Sequence, residues 1–480
     1  MSKDTSSISI GTKTYNWSIA GLIQIVLGCM ALVWVSYVET NDWHIPGYIN
    51  IVSGFFILFS IIRCIRYEGN QLLVDHLLIL SIMFFVYYVF GALLIPFGPA
   101  EEVDRSLAYY NIDAQLAMRV TAINCIGFGL ALTTGSMVGR RYVSRLTRLA
   151  IGFGSSIPQY KIIILFLLIG SISTFYVTLA DFGANPEIVS GTLRTLSKLL
   201  LVAVMVSAAY RGRHSRSFLI LAVLLTILQV TAGLLLTNKS AVLQSIAVLF
   251  VGLAWRFNGR KVIVPGLIII VSVYLGIGGP VNEARQAVGS DGRVNWSERI
   301  SLLEDGFFGG SQVKESEGYG YWIRFSYLVP QGAAIDFFDR GQGGNDYTLL
   351  GWTFLPRALF PQKPIITASG QEFHFKITGG MTSSTGQGVF VNGYYNLGWM
   401  GTIFVGILVG CILAWTSALA TEIFNARALL WIPFALLGSF MAFRIDGHFV
   451  SDYWGPFGML MYAVLAGLIL RRILAKRRAA

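Results

Sequence analysis

Charge is scarce in this sequence. Of 480 residues, 13% are charged and 54% are hydrophobic. A water-soluble domain of that composition would leave large apolar areas bare on its surface. Acidic residues are the rarer sign: 25 Asp and Glu stand against 36 Lys and Arg, a net charge of +11. Most of the basic residues fall in short loops between apolar blocks, where they set membrane topology, so nucleic acid is set aside as a partner. Cysteine is rarer still. Cys29, Cys64, Cys125 and Cys411 lie in or beside apolar segments, and none forms a CxxC pair. That argues against disulfides and against zinc. No cleavable leader is evident, because Met1 to Tyr15 is polar and the first apolar block is already a full-length span.

What is present is a series of apolar blocks, each about as long as a bilayer is thick, roughly 20 residues. The sequence predicts about twelve, over 17–37, 46–63, 76–96, 115–137, 161–180, 193–210, 217–236, 241–256, 262–279, 399–420, 427–444 and 453–470. They lack period-two alternation and are too long for barrel strands, so they are read as helices. Lys and Arg orient them. One set of alternating loops carries Arg63 and Arg66, then Arg140, Arg141, Arg145 and Arg148, then Arg211, Arg213 and Arg216, then Arg256, Arg260 and Lys261. The tail adds Arg471, Arg472, Lys476, Arg477 and Arg478, while the opposite loops are acidic or sparse in charge, as in GPAEEVD and DFGANPE. The positive-inside rule puts both termini in the cytoplasm. The expected organisation is a nine-span bundle over 1–279, one large external loop over 280–398, and three spans with a basic tail over 399–480.

So long a connection usually carries function. This one holds aromatic stretches, GYGYWIRFSYLVP and AIDFFDR, which predict short amphipathic helices at the outer membrane face. Its basic residues are out of place for an external loop. Those in DGR (291–293), SER (297–299) and FDR (338–340) are expected to pair with local acids. Arg285, Arg324, Arg357 and Lys363 sit in more apolar surroundings, where unpaired charge is costly and a binding role is the better expectation. Four more basic residues lie in or at the ends of spans: Arg119, Lys198, Lys239 and Arg444. Snorkelling to the interface competes with function there, and for Lys198 the two readings balance. Lys239 and Arg444 face the side of the long loop. The glycines of GQGG (341–344) read as a turn rather than a phosphate cradle. In LPRALFPQKP (355–364), Arg357 and Lys363 share a proline-stiffened stretch. A planar fork and a point charge together suit a pyrophosphate, and the prolines lower the entropy lost in holding them.

At these residues the chain resembles the oligosaccharide repeat-unit polymerases, the Wzy-type O-antigen and capsule polymerases of bacteria. LPRALFPQKP is similar to the family's aromatic-Pro-x-basic-Pro stretch at Phe360, Pro361, Lys363 and Pro364. TNKSAVL resembles a small-polar-basic stretch opening a span, with Lys239 in the basic place. VNEARQAVG supplies Arg285 after span nine, GQGVFVNGYYNLGWMGTIFVG resembles the entry to the next span, and AFRIDGHF carries the late pair Arg444 and Asp446. Their order along the chain carries more weight than any one of them.

The resemblance implies an all-α polytopic membrane protein, about twelve spans and a large external loop, similar to the GT-C-type membrane glycosyltransferases. It implies glycosyl transfer at the outer face of the bacterial cytoplasmic membrane, from a glycan on undecaprenyl pyrophosphate to a lipid-linked repeat unit. No metal or other cofactor is implied, and the predicted outer side holds neither DxD nor clustered histidines. Further partners would be membrane lipids and a chain-length-regulating co-polymerase. Lys239, Arg285, Arg324, Arg357, Lys363 and Arg444 are then the pyrophosphate-binding candidates, stabilising charge on the leaving group. Asp446, His448, His374 and Glu372 are the alternative general bases. For His374 the bland alternative is an interfacial histidine, and for Asp446 it is the orientation of Arg444. An O-antigen ligase, a polysaccharide flippase or transporter, and a non-catalytic assembly partner are the rival classes. A transporter would place its binding groups near the midplane, and Arg119 and Lys198 are the residues that reading would cite.

Overall fold

A computed structural model describes residues 15–39, 41–68, 74–108, 110–138, 148, 151, 158–181, 191–212, 214–236, 238–257, 259–288, 300–301, 303–304, 322, 325–355, 360–380 and 384–479. Among these residues there is no strand. The chain divides into two compact units, Met1–Phe153 with Gly318–Ala480, and Gly154–Glu317. The predicted boundaries at 279/280 and 398/399 are not the limits of these units. Helix formation runs through the first of those boundaries and begins before the second.

The first unit opens with α1 (Ser18–Tyr37), α2 (His44–Glu68) and α3 (His76–Phe84). Helix α3 continues through a π-helical turn, Phe85–Phe90, and a 3-10 turn, Gly91–Leu93, into α4 (Leu94–Phe97). Then come α5 (Ala100–Leu107) and α6 (Ala114–Val138). Helix α6 is the axis of this unit. Of its apolar window, 78% is buried, whereas the helix over Ser215–Leu235 buries 17%. Close packing needs small residues in a membrane, since lipid competes with any apolar side chain. Gly21 of α1 and Gly129 of α6 provide the space: a Cβ on Gly21 would meet the Gly129 carbonyl at 2.7 Å. Polar threads cross the same interfaces, Ser53 Oγ donating to Gln24 Oε1 at 2.7 Å and Asn50 Nδ2 to Thr121 Oγ1 at 3.2 Å.

The second unit holds α7 (Gln159–Asp181), α8 (Gly191–Ser197), α9 (Leu199–Ala209), α10 (Ser215–Leu235), α11 (Lys239–Arg256) and α12 (Gly259–Val288). Helix α9 is its centre, packing on α7, α10 and α11, and Val204, Met205 and Ala208 are fully buried.

The first unit resumes with α13 (Leu328–Asp339), α14 (Leu350–Thr353), α15 (Ser369–Thr378), α16 (Val389–Asn425), α17 (Ile432–Phe443) and α18 (Gly455–Ala479). A second π-helical segment, Phe449–Trp454, leads into α18. Helix α16 is broken at Leu397 and Gly398, where Gly398 takes φ 62. Only a glycine adopts that backbone without strain. The head of α16 turns back on the part that follows: a Cβ on Gly393 would lie 2.7 Å from the Gly401 carbonyl, and Thr402 Oγ1 donates to Phe390 O at 3.5 Å.

The loop expectation is half right. The described residues of the region include helices, but α13 does not lie on a surface. It packs against α6 and α16, with Ala333, Ala334 and Ile335 fully buried. Helix α15 does expose one face, burying Gly370 and Phe373. The span count also changes. Among the described residues nine helices are long and apolar enough to cross a membrane, with Lys261–Ile277 and Leu429–Phe443 as shorter apolar helices. The predicted span 193–210 is cut at Lys198 into α8 and α9.

Candidate functional site

The site is built where α17 ends. Arg444 closes that helix, its N–H donating to Phe440 O at 3.2 Å, and the chain turns with Gly447 N donating to Arg444 O at 3.0 Å. Two backbone rungs clamp this turn to the entrance of α16, Val389 N to Ile445 O at 2.8 Å and Gly388 N to Asp446 O at 3.1 Å. Tyr88, on the first π segment, donates its hydroxyl to the Ile445 carbonyl. Asp452, on the second π segment, accepts the His448 backbone N–H at 2.9 Å. Such segments shift register by one residue and recur at functional sites. Here they aim Tyr88 and Asp452 at one turn.

The turn carries a charge cluster. Arg444 Nε lies 3.3 Å from Asp452 Oδ1 and 3.9 Å from Asp446 Oδ1, and the arginine side chain is 43% exposed. Burial works against the guanidinium charge, but the two carboxylates outweigh it and raise its pKa further above the usual arginine value. Asp446 is shifted the other way from an ordinary ion pair. Burial raises its pKa, the Arg444 charge and the Tyr327 hydroxyl offset part of this, and the Asp452 charge adds to it. Tyr327 Oη donates to Asp446 Oδ2 at 3.1 Å. Burial and then the Asp446 charge push the Tyr327 hydroxyl far up, so it stays a donor.

Beyond the turn lies a second carboxylate. Asp346, in a 3-10 turn over Asp346–Leu349, has Oδ2 at 3.8 Å from His448 Nδ1. Its backbone N–H donates to Asn396 Oδ1 at 2.8 Å and its Oδ2 accepts from Asn392 Nδ2 at 3.2 Å. Burial would raise its pKa, but the bonds and charge of His448 and the amides of Asn392 and Asn396 prevail and hold it below the usual carboxylate range. Both asparagines sit on the folded-back head of α16, so the glycine break is what brings them here.

Of the residues singled out from sequence, Arg444, Asp446 and His448 meet at this turn. His374 stands nearby on α15, its Nδ1 2.7 Å from Thr385 Oγ1, and Thr385 N donates to Gly370 O at 3.0 Å. A Cβ on Gly370 would approach His448 Nε2 to 3.1 Å. Glu372 is exposed in the first turn of α15. Lys363 is employed otherwise: its Nζ donates to Leu355 O at 3.0 Å and Thr353 O at 3.4 Å, closing the C-terminal end of α14. Such carbonyls lack partners within their own helix, which is why a lysine suits them. Lys239 opens α11 in the second unit, half-buried behind Asn238, whose side chain accepts from Ala241 N at 3.1 Å. Arg285 lies on α12 of that unit with its side chain outside the described residues, and Arg324 and Arg357 lie outside them altogether.

Other charges in the region find partners. Arg340 pairs with Asp336 at 2.8 Å, a local pair as expected, though one turn back rather than with Asp339. Asp339 instead meets Arg119 of α6, which also donates to Tyr394 Oη at 2.8 Å. Gly341 takes φ 74 just beyond α13, in keeping with a turn over GQGG. Sequence reading missed Asp346, Asp452, Asn392, Gln387, Tyr88 and Tyr327.

The class of protein is defined by the helices and their outward faces. Ile19, Phe55, Leu168, Phe175, Leu228 and Leu267 are all more than half exposed. In water such surfaces would be a liability, and in lipid they are not. This is an all-α, multi-pass membrane protein. Compared with known proteins, the chain matches no family model, no curated protein and no solved structure.

Proposed function

We propose that this protein is a membrane glycosyltransferase that polymerises undecaprenyl-pyrophosphate-linked repeat units into a surface polysaccharide. The reaction belongs at the outer face of the bacterial cytoplasmic membrane, with both termini inside, as the basic loops favour. The observation that carries the reading is the turn at 444–448. A half-exposed arginine at the end of a membrane helix stands beside a histidine, with carboxylates of two kinds around them. Arginine is suited to the charge that develops on a departing pyrophosphate. A nearby imidazole is suited to the proton of an attacking hydroxyl. Lys239, Arg285, Arg324, Arg357 and Lys363 are retained as further pyrophosphate ligands, on the resemblance rather than on contacts. Of the two residues a transporter reading would cite, Arg119 and Lys198, the first is paired with Asp339 and Tyr394.

The test is deletion of the gene in its host, followed by electrophoresis of the surface glycans. The expected result is collapse to a single repeat unit on its normal acceptor. Full-length polymer left on the lipid carrier would instead indicate a ligase. Repeat units stranded on the cytoplasmic side would indicate a flippase and overturn the outer-face site.

A further inference from the structure

Asn392 is fully buried, and its amide cannot be flipped, because the Phe449 backbone N–H donates to its Oδ1 at 3.2 Å. Its Nδ2 therefore faces three acceptors: Gln387 Oε1 at 2.7 Å, Asp346 Oδ2 at 3.2 Å and His448 Nδ1 at 3.3 Å. An amide nitrogen has two hydrogens, so one acceptor goes unserved. The two nearer ones take them. The conflict at the third disappears when His448 Nδ1 carries its own hydrogen and turns it toward Asp346 Oδ2, 3.8 Å away. In that tautomer Nε2 holds a lone pair. His448 is 7% exposed, and its Nε2 has no hydrogen-bond partner among the described residues. It points toward the first turn of α15, where Gly370 carries no side chain to fill the approach and Ser384 Oγ stands close by.

Three more buried polar atoms without partners belong to the same neighbourhood: Gln387 Nε2, Tyr347 Oη and Tyr453 Oη. Gln387 is bonded to Asn392, Tyr347 follows Asp346, and Tyr453 follows Asp452. Leaving one buried polar group unmet is costly, and His448 Nε2 and Gln387 Nε2, both unmet on residues that share Asn392, mark where a polar ligand belongs. A sugar, rich in hydroxyls that both donate and accept, answers them. Arg444, Asp446 and Asp452 flank His448 from its own turn and the π segment, and His374 stands on α15. Asp346 faces Nδ1.

We propose that Asp346 is the positioning residue that holds His448 with its proton on Nδ1, so that Nε2 takes the proton of the acceptor sugar hydroxyl. The inference rests on the polymerase reading above. In the step, the acceptor oxygen bonds to the anomeric carbon of the donor. The bond from that carbon to the pyrophosphate oxygen breaks, and its electron pair leaves with the pyrophosphate. The hydroxyl proton passes to Nε2, and the imidazolium formed faces the Asp346 carboxylate. Release of that proton to water restores the neutral ring.

Two measurements on the full-length protein test this. The first is nitrogen-15 NMR of the histidine rings in detergent micelles. There are five histidines, and His448→Gln assigns the signal. At a pH where the ring is neutral, the expected result is hydrogen on Nδ1 of His448, a preference lost in Asp346→Asn. Hydrogen on Nε2 in the unaltered protein overturns the proposal. The second is elongation of lipid-linked repeat units, extracted from the deletion strain, by membranes carrying each variant. Asp346→Asn should lower kcat by about 100-fold or more with KM little changed. Asp346→Glu should recover part of the rate, which also guards against a variant that merely misfolds. His448→Gln combined with Asp346→Asn should be no slower than His448→Gln alone, because the two act as one unit. Wild-type kcat in Asp346→Asn removes the positioning role and leaves the polymerase reading standing. No elongation by the unaltered protein, with the Nδ1 tautomer present, overturns the polymerase reading and the proton transfer with it.

Discussion

Asp446 and Asp346 approach His448 from opposite sides, one from the same turn and one from the far end of the buried cluster. Both are withdrawn from water, and burial alone would raise both pKa values. Asp446 has an arginine for a neighbour and still ends high. Asp346 has an imidazole and two amides and ends low. The difference lies in donors. Arg444 divides its charge between two carboxylates at 3.3 and 3.9 Å, whereas the Asp346 carboxylate accepts from Asn392 Nδ2 at 3.2 Å and faces the His448 ring. Carboxylates whose surroundings drive them apart in this way take different roles within one site.

The strongest way to break the comparison is Arg444→Ala. It leaves Asp446 and Asp452 facing each other with no cation between them. Elongation should fall by more than about 100-fold, with the protein still present in the membrane by immunoblot. Normal chain lengths would remove Arg444 from the site, and Arg285→Ala is expected to behave in the same way.

Next come the paired asparagine variants, read by thermal unfolding in one detergent across pH. A depressed carboxylate stabilises the fold above its unfolded pKa, about 4, and that contribution fades as pH falls through the folded value. Asp346→Asn should therefore cost about 1–3 kcal/mol at neutral pH, with the gap closing in acid. Asp446 has the opposite sign. A raised carboxylate contributes fully below pH about 4 and loses that contribution as pH rises through its folded value. Asp446→Asn should match or exceed wild-type stability at neutral pH, with the gain vanishing below pH about 4. Equal losses from both variants would show that the contrast is not electrostatic.

Lys363→Gln is a smaller perturbation. If the lysine serves the carbonyls of residues 353 and 355, stability falls by about 1 kcal/mol and elongation stays within about threefold. A loss beyond tenfold would return Lys363 to the pyrophosphate. Smallest of all is Arg340→Ala. Its arginine is 64% exposed beside Asp336, so stability should move by less than about 0.5 kcal/mol.

The helices were legible because membrane spans announce themselves in composition alone. Even the start predicted for the tenth, residue 399, falls at the Leu397–Gly398 break inside α16. The interruption at Lys198 was not, since a lysine one turn inside an apolar block also reads as a snorkelling residue. Arg444, Asp446 and His448 could be found because they share one short stretch. Asp346 and Asn392 could not. They are 46 residues apart, and Asn392 is 56 from His448. Nothing in GGNDYTLL or VFVNGYYN distinguishes a ligand of histidine from an ordinary turn or helix residue. The carbonyl contacts of Lys363 were not legible for a related reason. A cation among prolines has one pattern whether it meets a phosphate or the carbonyls of its own loop.

The turned-back head of α16 also bears on how the protein is made. As one straight rod its 37 residues would run about 55 Å, well beyond the roughly 30 Å of a hydrocarbon core. Broken at Gly398, the part after the break suffices to cross, and the head, about 12 Å long, cannot. The head carries Asn392 and follows directly on Gln387. Neither polar amide therefore has to lie within the hydrocarbon core of the finished protein. The cluster around His448 closes when the head folds down onto the part of the helix that follows the break. Assembly of the site becomes a late event in biogenesis, and a chain halted before residue 399 would hold its asparagine without a helix to lay it against.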